Sequence, residues 1–357
     1  MSRTYNFCPG PAALPDAVIY QAQAELPELG DCRASVMEIS HRSAAFLNIY
    51  QQTDARLREV MNISDDYAVL FLAGGATGQA AAVPLNLTAH NQHAAYIISG
   101  HWSRRAAEEA RRYCQVTIAG DSAAQQYTTL PTELTIPADA AYLHIAENET
   151  VHGVEYANLP TTTLPLVADL SSNIATRVIN VNDYGLIYAG AQKNLGVAGV
   201  TLVIVRRELI HPQAQTPSVW DYQKQEKSTS MYNTPPTFQI YLMGLMLDWI
   251  KQQGGVAAME KINSQKSRLL YDYLDSTDFY LTPVNTRHCR SRINIPFLLA
   301  EESLTADFLA GCAESGLLGL AGHKVVGGVR ASLYNSMPLA GVAALVEYMR
   351  RFEQQRG

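Results

Sequence analysis

Long apolar runs are missing from this sequence. No uninterrupted stretch approaches the roughly 20 residues that cross a bilayer, so no membrane span is expected. A basic excess is missing too: 27 Lys and Arg stand against 33 Asp and Glu, a formal charge of −6. Without a basic stripe there is no source for the counterion release that drives nucleic-acid binding, so no nucleic-acid partner is expected. An anionic ligand would have to be drawn by a local cluster of cations, not by the overall field. Cysteine is scarce and scattered. Cys8, Cys32, Cys114, Cys289 and Cys312 are odd in number and form no CxxC pair, which speaks against a disulfide framework and against a zinc site. Residues 1–6 carry no apolar stretch of the secretory kind. These absences predict a soluble, cytoplasmic protein with reduced thiols and no metal, in which the Asn-x-Ser/Thr triplets at Asn62, Asn86 and Asn148 are chance occurrences.

What is present is the composition of an ordinary globular enzyme, 47% hydrophobic and 17% charged, in 357 residues, enough for two domains. Between residues 66 and 205, apolar runs alternate with helix-like stretches. Strands are expected at 67–72, 94–99, 141–145, 164–168, 186–189 and 200–205, and helices at 79–87 and 103–113. Continuously apolar strands separated by helices predict an α/β fold with a mostly parallel sheet covered on both faces. Upstream, Phe46, Ile49, Tyr50, Leu57 and Val60 recur at helical spacing over 45–61. After Pro235-Pro236, helices are expected over 238–251, ending at Gly254-Gly255, and over 256–274. The pattern then changes to strand 292–297, helix 304–315, strand 329–334 and helix 339–352, a smaller α+β lobe. The expected division is a large domain over 16–258 and a small C-terminal domain over 259–357, with residues 1–15 packing near the latter.

The candidate chemistry gathers at strand ends. Tyr188-Ala189-Gly190-Ala191-Gln192-Lys193-Asn194 sets one lysine in a small-residue loop between two apolar runs, and Asp169 ends the run 164–168, followed by Ser171 and Ser172. A lysine and an acid so placed suit a pyridine aldehyde cofactor: the lysine bonds the aldehyde, and the acid pairs with the pyridinium nitrogen and keeps the ring an electron sink. Leu72-Ala73-Gly74-Gly75-Ala76-Thr77-Gly78-Gln79 follows a strand and opens a helix, which suits an anion on backbone N–H groups, although it fits neither the dinucleotide nor the Walker pattern. Trp102, in Ser99-Gly100-His101-Trp102, could stack on an aromatic ring. Thr150, in Asn148-Glu149-Thr150, could bond a ring substituent. All of these follow the carboxyl ends of successive strands, where open α/β sheets bind ligands. His41-Arg42, His323-Lys324 and the glycine-flanked Arg330 supply cations for carboxylate or phosphate oxygens.

With these residues the chain resembles the phosphoserine aminotransferase family, class-V enzymes of pyridoxal-phosphate fold type I. The resemblance runs over essentially its whole length. It is carried by Asn6-Phe7 with Gly10-Pro11-Ala12, by 35–42, Val83-Pro84-Leu85-Asn86, Asn148-Glu149-Thr150, 188–194, Asn233-Thr234-Pro235-Pro236-Thr237 and 323–332. It implies pyridoxal 5′-phosphate as cofactor, with Lys193 as the Schiff-base lysine and proton shuttle and Asp169 as the partner of the pyridinium nitrogen. Trp102 would stack on the ring and Thr150 bond its hydroxyl region, while Ala76, Thr77 and Gln192 would hold its phosphate. Asn233 and Thr234 would reach that phosphate from the other subunit of a homodimer. Arg330 would grip the substrate α-carboxylate, and His41, Arg42, His323 and Lys324 would surround a phosphate or side-chain carboxylate. The implied reaction is reversible amino transfer between glutamate and 3-phosphohydroxypyruvate, giving O-phosphoserine and 2-oxoglutarate in serine biosynthesis. 4-Phosphohydroxythreonine formation in pyridoxine biosynthesis is the related step. The alternative is an aminotransferase of the same fold acting on alanine, serine or glyoxylate, which needs no second cationic pocket. Three positions depart from some relatives: Thr77 and Lys324 stand where those carry arginine, and Cys8-Pro9 replaces a serine pair.

Overall fold

The computed structural model describes residues 3–88, 92–212 and 215–357; residues 1 and 2 of the N-terminal segment lie outside the described residues. Its centre is a seven-stranded sheet of β1 (Tyr67–Leu72), β2 (His93–Ile98), β3 (Gln115–Asp121), β4 (Leu143–Ala146), β5 (Leu166–Asp169), β6 (Leu186–Gly190) and β7 (Thr201–Arg206). The spatial order is β1-β7-β6-β5-β4-β2-β3. Strand β7 is antiparallel to both of its neighbours, while β2, β3, β4, β5 and β6 pair in parallel. The expected mostly parallel α/β sheet is therefore the observed one.

Strand alternation splits the apolar side chains between two cores. Tyr67, Val69 and Phe71 of β1 pack with Leu57 of α2 (Ala44–Met61) and Met243 of α5 (Thr237–Gln252). Ala68, Leu70 and Leu72 pack on the other face with Ala82 of α3 (Gly75–Leu87) and Ala106 of α4 (His101–Ala110). Both faces are covered, so the strands read as unbroken apolar runs. Two helix starts differ from expectation. Helix α3 begins at Gly75, four residues before residue 79, because Gly74 and Gly75 adopt positive φ (106° and 67°) and turn the chain straight from strand to helix. Helix α4 begins at His101, two residues before residue 103. Sequence periodicity did not mark the edge strand β3, whose ends are exposed, nor α1 (Asp16–Glu25).

C-terminal to this layer, a three-stranded antiparallel sheet of β8 (Tyr280–Leu281), β9 (Asn294–Leu299) and β10 (Val329–Ser332) packs with α7 (Thr305–Glu314) and α8 (Leu339–Arg356). Phe297, Phe308, Ala331, Leu345 and Phe352 form its core, and Phe7 joins them. Tyr5–Asn6 pairs in parallel with Leu317–Leu318. Helix α6 (Gly255–Leu274) serves both cores: Val256 and Met259 pack under the large sheet, Leu270 and Leu274 under the small one. The expected division between residues 258 and 259 falls inside this helix. Among the described residues, no helix is long and apolar enough to cross a membrane, and no cluster of three His, Cys, Asp or Glu is placed to hold a metal.

Midway along α6, Lys266 is fully buried and donates to the carbonyls of Leu333, Tyr334 and Met337 at 3.0, 2.7 and 3.0 Å. It thereby holds the turn that follows β10. Burial pushes its pKa down to about 7, against about 10.4 in an unfolded chain. Between those values the unfolded state binds more protons, so this group makes stability rise with pH, by at most about 1.4 kcal/mol per unit. Urea unfolding at pH 7 and pH 9 should show that rise in the native protein and a flatter one in Lys266→Met. Equal slopes would rule the linkage out.

Candidate active site

The site forms where β5 and β6 end. Asp169, the last residue of β5, pairs across the sheet with Tyr188. Its Oδ1 accepts from the Ser171 N–H (2.8 Å), and Ser171 Oγ in turn accepts from the Gly190 N–H (3.0 Å). Because β7 runs antiparallel to β6, a short loop, residues 191–200, suffices to join them, and it carries Lys193 over the sheet edge. Asn194 anchors that loop. Its Nδ2 donates to the Ser172 carbonyl (2.9 Å), and its Oδ1 accepts from the Asn335 N–H (3.1 Å) in the turn held by Lys266. On the other side the Ala12 N–H donates to the Gln192 carbonyl (2.9 Å), bringing residues 9–11 against the lysine.

Charges here are taken from water. Burial lowers the Lys193 pKa; Asp169 opposes this, Arg330 reinforces it, and Glu149 opposes it. Burial raises the Asp169 pKa, while Lys193 and Ser171 draw it back. Arg330, only 6% exposed, donates through Nη1 to the Thr150 carbonyl (2.9 Å). Its Nε is buried without a hydrogen-bond partner, and among the described residues it makes no ion pair. A buried guanidinium without an acid is an open seat for a carboxylate.

The remaining walls come from helix starts. Gly75, Ala76 and Thr77 in the first turn of α3 line the cavity, where helical N–H groups have no intrahelical partner and favour an anion. Trp102 enters from α4. Its Nε1 donates to Thr150 Oγ1 (2.8 Å), and its ring centroid lies 5.7 Å from Lys193 Nζ. The cavity volume is about 400 Å³. His323 lines its mouth, and its ring lies 5.2 Å from that of His101.

The predicted residues thus divide into two groups. Ala76, Thr77, Trp102, Thr150, Asp169, Gln192, Lys193, His323 and Arg330 line one cavity. Lys324 is exposed beside His323. His41 and Arg42 lie together before α2, with Arg42 Nε 3.4 Å from His41 Nε2, and Asn233 and Thr234 are exposed before α5. None of these four lines the cavity of its own chain. Four further residues shape the site without having been singled out as site residues: Ser103, Glu149, Asn194 and Asn335. Each acts through a partner distant in sequence, so no local pattern marks it. The cavity suits pyridoxal 5′-phosphate: an amine and an acid at one end, an indole wall, helical N–H groups for a phosphate and an unpaired guanidinium for a carboxylate.

Comparison with known proteins agrees with this geometry. The profile of the aminotransferase class-V family matches residues 4–345. A phosphoserine aminotransferase of Marinomonas sp. (strain MWYL1) is 51% identical over 360 residues, covering the whole of both chains. The solved structure of phosphoserine aminotransferase from Bacillus circulans subsp. alkalophilus is 41% identical and superposes over 99% of each chain with a TM-score of 0.97. A pyridoxal-phosphate-bound phosphoserine aminotransferase from Trichomonas vaginalis is 35% identical, with a TM-score of 0.94 over 98% of this chain and 100% of that one.

Replacing Asn194 by Ala would strand the Ser172 carbonyl and the Asn335 N–H in a buried setting. The expected loss of stability is about 2–4 kcal/mol, seen as a lower urea midpoint. A change below about 0.5 kcal/mol would show that the loop is anchored elsewhere.

Proposed function

The chain belongs to the aminotransferase class-V family, and from that premise we propose how it works as a phosphoserine aminotransferase. It moves an amino group reversibly between glutamate and 3-phosphohydroxypyruvate, with O-phosphoserine and 2-oxoglutarate as products. The observation that carries the substrate reading is Arg330, a buried guanidinium with an unpartnered Nε opening on the Lys193 cavity, with His323 at the mouth and the exposed cation Lys324 beside it. Two separate cationic centres call for a substrate with two anionic ends, such as phosphoserine or glutamate.

Pyridoxal 5′-phosphate, when bound, supplies a conjugated ring that accommodates the electron pair left as a substrate Cα–H bond breaks. Asp169 would hold the pyridine nitrogen and Trp102 the ring face, with Thr150 at the ring hydroxyl and Ala76, Thr77 and Gln192 at the phosphate. Lys193 does the proton work. Its lowered pKa leaves more free amine near neutrality than an ordinary lysine has, so Nζ can accept and hold the proton released from the substrate Cα. Arg330 fixes the α-carboxylate, which aims the Cα–H bond toward Nζ.

His41, Arg42, Asn233 and Thr234 find a role if two copies share their sites. They sit on the surface of one chain beside Met37 and Tyr232, apolar residues that are 57% and 48% exposed. In a homodimer such a surface would be covered, Asn233 and Thr234 would reach the partner's phosphate, and His41-Arg42 would complete the second cationic pocket. The division into 16–258 and 259–357, with Arg330 in the smaller part, and a cytoplasmic location complete the proposal. 4-Phosphohydroxythreonine has the same two anionic ends and fits the same pockets.

Lys193→Ala should lose amino transfer entirely yet still bind pyridoxal 5′-phosphate, because Asp169 and the α3 N-terminus remain. Spectra taken on adding phosphoserine or glutamate would check this, and full turnover in the variant would overturn the role of Lys193. With the native protein, kcat/KM for phosphoserine should exceed that for serine by on the order of 10⁴. Comparable values would favour the reading as an alanine, serine or glyoxylate aminotransferase.

A further inference from the structure

Glu149 is the one carboxylate of this region without an assigned task. It is fully buried, yet the group facing it is not a cation but the start of a helix. Its Oε2 accepts from the Trp102 N–H (2.9 Å), and its Oε1 accepts from both the Ser103 N–H (2.8 Å) and Ser103 Oγ (2.7 Å). Those N–H groups belong to the first turn of α4, where backbone donors lack partners and a negative charge is favoured. The approach is so close that a Cβ on Gly100 would lie 2.5 Å from Glu149 Cδ, so only glycine fits there. The next residue, Thr150, takes the Trp102 indole N–H on its Oγ1 and the Arg330 guanidinium on its carbonyl. Two adjacent residues thus hold both ends of the tryptophan and one arm of the arginine.

We propose that Glu149 is a positioning residue: its carboxylate caps α4 and thereby fixes the Trp102 ring as the cavity wall. The proposal rests on reading the cavity as a pyridoxal-phosphate site. A cap with a purely structural role could be made by any acceptor and would leave Lys193 indifferent to its charge. Here the charge counts, because Asp169 and Glu149 together oppose the burial and the Arg330 guanidinium that push the Lys193 proton off. Burial raises the Glu149 pKa, and the Ser103 and Trp102 donors oppose that rise. In Glu149→Gln the side chain keeps its size but loses its charge and turns an NH₂ group toward an N–H donor.

The test uses the full chain without cofactor. Trp102 emission is taken as the difference from a Trp102→Phe variant in each background, and Lys193 reactivity as its acetylation by acetic anhydride against pH, read by mass spectrometry. In Glu149→Gln the emission should shift and the acetylation midpoint should move to lower pH. Affinity for added pyridoxal 5′-phosphate should fall about two- to tenfold, the range for a displaced aromatic contact. A folded Glu149→Gln protein with native emission, midpoint and affinity would overturn the proposal. Ser103→Ala removes one donor and keeps the charge; it should shift the emission in the same direction with the acetylation midpoint little changed. Should Glu149→Gln fail to fold, native emission and affinity in Ser103→Ala would overturn the proposal instead. Failure of the native protein to bind pyridoxal 5′-phosphate would reject the reading of the cavity, while the emission and acetylation results would still judge Glu149.

Discussion

Lys193, Arg330 and Asp169 line one cavity, with the buried Glu149 behind its wall, and the rest of the molecule is arranged around that fact. Asp169 and Glu149 act electrostatically to keep the Lys193 proton, and Arg330 acts to remove it. Each charge alone would be costly to bury; together they restrain one another. The balance is unequal in a useful way. Glu149 spends its hydrogen-bonding capacity on the start of α4 and Asp169 on Ser171, so neither neutralises Arg330, and burial leaves Lys193 nearer its free-amine form. A proton carrier and an open seat for a carboxylate are the consequences.

The fold keeps these groups in place with few elements. One antiparallel strand, β7, allows a short loop to bring Lys193 across the sheet edge to Asp169. Helices α3 and α4 follow β1 and β2, which lie apart in the sheet, and both bring residues of their first turns to the cavity. A chain of buried amides then ties this edge to the C-terminal sheet: Asn148 donates to Asn294 Oδ1 (2.9 Å), Asn194 accepts from Asn335, and Asn263 donates to Asn335 Oδ1 (2.8 Å). Lys266 closes the chain on three carbonyls, so Arg330, Lys193 and Asp169 hold fixed relative positions although they come from distant parts of the sequence.

Much of this was legible in the residues. The six apolar runs that became sheet strands were continuous because both faces of the sheet are covered, and the lysine and acid stood at recognisable strand ends. The resemblance of motifs such as 188–194 and 323–332 to a known family added the cofactor and the substrate class. Strand β3 escaped because an edge strand with exposed ends carries no strong period. Glu149 escaped as a helix cap because its partner lies 46 residues away, and Asn194 because its partner lies 141 residues away. The surface positions of His41, Arg42, Asn233 and Thr234 follow from the path of one chain and not from their residue types.

Residue type and periodicity by themselves determined the α/β class, the strands of the seven-stranded sheet other than β3, and an amine and an acid of the right chemistry near one another. Only the tertiary structure decided which charges are paired and which are left open. That Arg330 lacks an acid, that Glu149 faces a helix start and that Lys193 is pressed toward its neutral form are all consequences of burial. Burial depends on which distant segments close over a group, and short-range sequence patterns carry no record of that.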